Sequence, residues 1–169
     1  DRSGRLLVSQ LNLAWIFGLV YFILGFLEGA ADYFRMEQER MIFSIPIYII
    51  VKAAVLVTFF FFQRGFVLTG HLFRNYLLKI MSYVLIFLVT LIIAYDIASL
   101  FYDSVEREFI LGAQALTFGG IGILYGISLI RLQKSFGQLP VAAGIFEIFA
   151  ACFFLTLILS FMGFIMLIP

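Results

Sequence analysis

The sequence predicts an all-α, polytopic integral membrane protein: one domain, residues 1–169, built as a bundle of five transmembrane helices with short loops. Three observations lead there. Hydrophobic residues make up 64% of the chain and charged residues 12%, whereas soluble domains average about 45–50% and about 25%. With a mean hydropathy of +1.13, an aqueous fold is excluded. The apolar residues also fall into five runs, each close to the roughly 20 residues a helix needs to cross a bilayer, at approximately 11–31, 44–63, 79–102, 109–130 and 140–168. The polar connections between these runs alternate in charge, as five successive crossings require.

The first run starts beside Asn12 and Trp15 and ends near Glu28 and Asp32. It is too long for a signal peptide, and no small-residue cleavage pattern follows it. Ala14, Gly18, Tyr21, Gly25 and Glu28 recur at spacings of four and three, which puts them on one helical stripe. Gly25 and Gly29 form a GxxxG pair, a pattern that lets a second helix approach closely. The segment DYFRMEQER, Asp32 to Arg40, reads as a short polar connection. Pro46 suits the first turn of the second run, where its missing N–H is not needed, and that run ends at Gln63 and Arg64 after four consecutive phenylalanines.

Residues Arg64 to Lys79, RGFVLTGHLFRNYLLK, are basic and amphipathic, as in an interfacial helix or an early start to the third run. Asp96 lies near the end of that third run, and DSVERE, Asp103 to Glu108, makes an acidic turn. The fourth run carries Gly119, Gly120, Gly122 and Gly126. After the basic segment RLQKSFGQ, Pro140 opens the fifth run, which holds Glu147, Cys152 and several alanines.

Basic residues flank the N-terminus (Arg2, Arg5), the second connection (Arg64, Arg74, Lys79) and the fourth (Arg131, Lys134), while the first and third connections are acidic. The positive-inside rule then places the N-terminus in the cytoplasm and the C-terminus outside. The ending AAGIFEIFAACFFLTLILSFMGFIMLIP resembles the last span of small prokaryotic membrane proteins. That resemblance implies a prokaryotic cytoplasmic (inner) membrane and no activity.

Lys52 is the most costly residue in the chain. A charge inside a span costs roughly 2.5–3.5 kcal/mol on insertion scales. It lies seven residues past Ile45, about 10 Å below the outer end of its helix at 1.5 Å per residue. Glu28 and Asp32 at the end of the first run, and Asp96 on the third, are its candidate partners. The pairing reads either as a register-fixing contact or as part of a substrate or proton path. Glu147 lies at a similar depth from the opposite side. It reads as an interhelical group that accepts a hydrogen bond from Tyr125 or Ser128 or draws in Arg131 or Lys134, or else as a functional carboxylate.

Gly18, Gly25, Gly29, Gly119, Gly122 and Gly126 are expected to serve helix packing, the last three against Ala142, Ala143, Ala150 and Ala151. Arg64, His71, Arg74 and Lys79 suit contact with anionic lipid or with a partner. One cysteine excludes an internal disulfide or a cysteine metal site, and one histidine excludes a bis-His haem within the chain. The sequence contains no HExxH, no GxSxG and no glycine-rich phosphate loop.

The expected function is therefore a non-enzymatic membrane subunit or anchor without cofactor or metal. Its partners would be lipids and other membrane subunits or a second copy of itself, and not nucleic acid. The alternative is a small ion or solute transporter or channel using Lys52, Glu28, Asp96 and Glu147.

Overall fold

The computed structural model describes the backbone of residues 2–37, 40–102 and 107–166, and the side chains of 9–35, 40–102, 112–153 and 155–156. Among these residues the chain is all-α and forms six helices. They are α1 (Arg2–Glu37), α2 (Ile45–Leu72), α3 (Tyr76–Ala98), α4 (Arg107–Ile130), the single-turn α5 (Gln133–Phe136) and α6 (Leu139–Met166). Among the described residues four segments are long and apolar enough to cross a membrane: Ser9–Arg35, Ile45–Leu72, Tyr76–Ala98 and Gly112–Ile130. The side chains of Arg2 and Arg5, most of the acidic turn from Asp103 and the end of the expected fifth span past Met166 lie outside the described residues.

Two compact units make up the chain. The first comprises Asp1–Leu68 with Ser82–Asp103, and the second Thr69–Met81 with Ser104–Pro169. In the first unit α1 and α2 run antiparallel, since rising numbers on α1 meet falling numbers on α2. Ala14 faces Gly65, where an added Cβ would lie 2.6 Å from the alanine methyl. Phe17 stacks on Phe61 at 4.6 Å, and Tyr21 meets Phe59 at 5.0 Å. Tyr48, Lys52, Val55 and Phe59, four of the buried residues of α2, follow the spacings of four and three that define one face of a helix. Lys52 therefore points into this unit's core by the same periodicity that buries Val55.

The first helix does not end at residue 31. It continues to Glu37, because Glu28, Asp32 and Arg35 share a face that α2 and α3 cover with polar partners. A helix carrying charge this deep is stable when the charges find one another.

The basic stretch after Arg64 also departs from the expected interfacial helix. Nothing in Arg64–Leu72 interrupts the hydrogen-bond ladder, so α2 runs on to Leu72 and then stops abruptly. The Asn75 amide donates to Gly70 O at 2.8 Å and the Arg74 amide to His71 O at 3.4 Å, the paired bonds of a Schellman C-cap. Arg74 occupies the left-handed position of that motif with φ +53°, where glycine is the usual residue and any other costs about 1–2 kcal/mol. Asn75 also caps the next helix, its Oδ1 accepting from the Leu78 amide at 3.2 Å, and its Nδ2 donates to Ser128 O on α4 at 2.7 Å. One buried asparagine thus ends α2, begins α3 and ties the turn to α4.

Within the second unit α4 and α6 pack antiparallel along a seam whose α4 side is glycine. A Cβ placed on Gly119 would lie 2.5 Å from Leu155 Cγ, one on Gly122 would lie 2.8 Å from Ala151 Cβ, and one on Gly126 would lie 2.6 Å from Gly144 O. The α6 side of the seam is Gly144, Ile148, Ala151 and Leu155. Ala142 and Ala143, which the sequence also offered as partners, are exposed.

Candidate intramembrane charge cluster

The Lys52 side chain is 1% exposed, and its Nζ sits among three carboxylates. Glu28 Oε1 and Asp32 Oδ2 from α1 each lie 2.7 Å away, and Asp96 Oδ2 from α3 lies 2.6 Å away. An ammonium has three donors, and here each meets one acid. The sequence offered Glu28, Asp32 and Asp96 as candidate partners, and the structure brings all three to the lysine at once. Lys52 leans toward the charged end of α1, so its length carries the ammonium away from the middle of the span.

Three further residues complete the cluster, none of which stood out in the sequence. Tyr48 Oη donates to the second oxygen of Asp32 at 2.5 Å. Arg35 donates to Asp96 O at 3.3 Å and to Ser99 Oγ at 3.2 Å, while Ser99 Oγ donates in turn to Asp96 O at 2.8 Å. The Arg35 guanidinium and the Lys52 ammonium both lie over the Tyr48 ring, 5.1 Å and 5.4 Å from its centroid, where the electron-rich face attracts a cation. Spacing could have found two of them. Tyr48 precedes Lys52 by four and Arg35 follows Asp32 by three, so each shares a helical face with a residue already identified. Reading the first helix as ended at residue 31 hid Arg35.

One carboxylate oxygen from each of Glu28, Asp32 and Asp96 lies within 4.8 Å of the other two, a spacing that suits a small cation. In this structure Lys52 is that cation. Among the described residues no buried side-chain nitrogen or oxygen lacks a hydrogen-bond partner, which is the condition for a polar network inside an apolar protein to add rigidity. Three acids face two cations, so the fully ionised cluster carries one more negative than positive group.

The other sequence-derived candidates lie elsewhere. Glu147, half-buried on α6, places Oε1 beside Gly122, 3.5 Å from where that residue's Cβ would be. Ser128 does not donate to it, since its Oγ bonds to Tyr125 O at 2.6 Å. No ion pair links Glu147 to Arg131 or Lys134 among the described residues. Gly18 packs against the Phe62 ring, whereas a methyl placed on Gly25 or Gly29 would meet no atom within 4 Å, so their GxxxG pair is open within this chain. Gly65 and Gly144, not singled out beforehand, are close-packed. Arg64, His71 and Arg74 are exposed and Lys79 is half-buried.

The fold and the cluster together define an integral membrane protein whose first three helices converge on a buried lysine. No family model, no curated protein and no solved structure matches the chain.

Proposed function

We propose that this chain is a non-enzymatic integral membrane subunit or anchor that packs within a larger membrane assembly. The observation that carries this reading is the outer stripe of α1. Trp15, Leu19, Phe22, Phe26, Gly29 and Tyr33 recur at spacings of four and three and all face outward, with Phe22 74% and Phe26 80% exposed. Large aromatics around an open glycine form knobs and a hole at the spacing that a neighbouring helix reads. The opposite face of α1 is held by Lys52, so the helix presents its stripe rigidly. In this reading α6 supplies a fifth crossing, the N-terminus is cytoplasmic, the C-terminus is outside, and the membrane is a prokaryotic inner membrane.

Purification in mild detergent tests the proposal. A stoichiometric membrane partner, or a second copy, should co-purify with the wild type and be lost from Phe22→Ala/Phe26→Ala, while the variant keeps its helical content. A folded wild-type monomer that brings nothing with it would sink the idea.

A second reading, a small ion or solute transporter, is favoured by one observation: three carboxylates surround a single lysine where a register-fixing pair needs only one. Flux into liposomes separates the two. A transporter gives flux in the wild type that Lys52→Met abolishes; flux that is absent, or equal in both, removes this reading.

A further inference from the structure

We infer that the second unit carries a binding site for a phosphate ester, built from Arg74 and Arg131 at the ends of α2 and α4. Both residues line one cavity of about 250 Å³, together with Tyr76, Leu132 and Ser135. The two guanidiniums supply planar forks of donors, the geometry that pairs with phosphate oxygens. The Ser135 and Tyr76 hydroxyls add neutral donors, and Leu132 supplies apolar surface for the ester's carbon skeleton.

Three features make this a built site instead of two surface arginines. First, Arg74 holds the left-handed C-cap position that glycine fills at lower cost, so the chain keeps a side chain where backbone energy argues against one. Such strain is characteristic of functional positions. Second, the position is fixed from both sides. Asn75 locks the turn to α3 through Leu78 and to α4 through Ser128 O, and Phe73 packs edge-on against Phe136 of α5 at 4.8 Å. Arg74 and Arg131 therefore approach the cavity from a braced turn and a braced helix end.

Third, the site's positive charge has no internal counter-charge. Residues 64–95 and 109–146 contain no aspartate or glutamate, and neither arginine has an ion pair among the described residues. Among the described residues no acid lines the cavity, so the anion this site takes is an external one. Arg74 follows the apolar segment Ile45–Leu72 and Arg131 follows Gly112–Ile130, which sets them at the level of phospholipid headgroups, where basic pockets between helices bind anionic lipid. A phospholipid and a soluble phosphate compound share the chemistry this site recognises, and experiment distinguishes them.

The test uses the full chain in phosphatidylcholine nanodiscs, with thermal unfolding as the readout. The two probes are phosphatidylglycerol doped into the disc and inorganic phosphate added to the buffer. Arg74→Gly is the informative variant, because glycine relieves the cap and should fold at least as well as the wild type in phosphatidylcholine alone. Arg131→Gln removes the second fork, and Lys134→Gln removes an exposed cation that does not line the cavity.

The expected result is that one probe raises the unfolding temperature of the wild type and of Lys134→Gln, but not that of Arg74→Gly or Arg131→Gln. A titration should show affinity about ten- to hundredfold weaker in each arginine variant, the weight of a charged hydrogen bond. Stabilisation by phosphatidylglycerol assigns the site to lipid, and stabilisation by inorganic phosphate alone assigns it to a soluble ester. If neither probe stabilises the wild type, if the gain survives in either arginine variant, or if Lys134→Gln loses it as well, the proposal is overturned.

Discussion

Between α1, α2 and α3 the closest approach is organised around Lys52, whose ammonium draws carboxylates from two other helices to within 2.7 Å. Between α4 and α6 it is organised around missing side chains, with Gly126 and Gly144 so near that a methyl on either would meet the other's carbonyl oxygen at 2.5–2.6 Å. A membrane withholds the hydrophobic force that gathers helices in water, leaving polar contacts and close van der Waals packing to do so. This chain uses one in each of its compact units. The polar solution concentrates its energy in a few atoms, and its parts fail together; the glycine seam spreads dispersion over a length of backbone and fails by geometry.

The largest effect is expected from Lys52→Met. It leaves three carboxylates facing one another without their shared cation, and breaking a buried ion pair typically costs about 3–5 kcal/mol. Equilibrium unfolding in mixed micelles should show that loss. A variant as stable as the wild type would mean that the cluster does not hold the first unit together.

Gly144→Ala tests the other half of the comparison. The new methyl meets the Gly126 carbonyl oxygen at 2.5 Å as well as Ile130 Cγ1 at 2.7 Å, and the backbone contact forces the helices apart, at about 1–3 kcal/mol for an overpacked contact. Gly126→Ala should cost a similar amount. The double variant should cost less than the two together, because one separation accommodates both methyls. Strict additivity in the same unfolding assay would show that the two glycines do not share a contact.

Tyr48→Phe removes one hydrogen bond to Asp32 and leaves the lysine in place. A net loss of about 0.5–1.5 kcal/mol is expected, well below that of Lys52→Met, and a larger one would move the centre of the cluster from the lysine to the tyrosine. Gly25→Ala should have the smallest effect and the opposite sign. With open space around it, alanine relieves the backbone entropy of a mid-helix glycine, a gain of about 0.5–1 kcal/mol. A loss of stability would mean that α1 packs there more tightly than the structure shows.

Much of the cluster was legible from the chain alone, for a reason specific to membranes. A lysine among Ile45–Phe62 has so few ways to be tolerated that its partners had to be acids at matching depth, and helical rise pointed to Glu28, Asp32 and Asp96. Arg35, Tyr48 and Ser99 were missed because a polar residue near a helix end has many acceptable environments. The glycines were recognisable as a class, but not by role. Gly119, Gly122 and Gly126 lie in a seam while Gly25 and Gly29, with the same spacing, face open space, because spacing defines a stripe and says nothing about what lies opposite. Of the alanines expected on the partner face of α6, Ala151 lies in the seam while Ala142 and Ala143 do not, for the same reason: they differ from Gly144 by one or two positions, and that difference turns a residue to another side of the helix.

The solvent and the secondary structure follow from composition and patterning along the chain. Runs of some twenty apolar residues in a chain with 12% charge leave the backbone no option in lipid except to satisfy its own hydrogen bonds as helices. The tertiary structure alone decided which helices meet and at what register, and hence that one lysine joins three carboxylates and that one arginine keeps a position suited to glycine. Backbone satisfaction is local and can be read along the chain, whereas register depends on how side chains far apart in sequence fit together, and that fit exists only once the helices have packed.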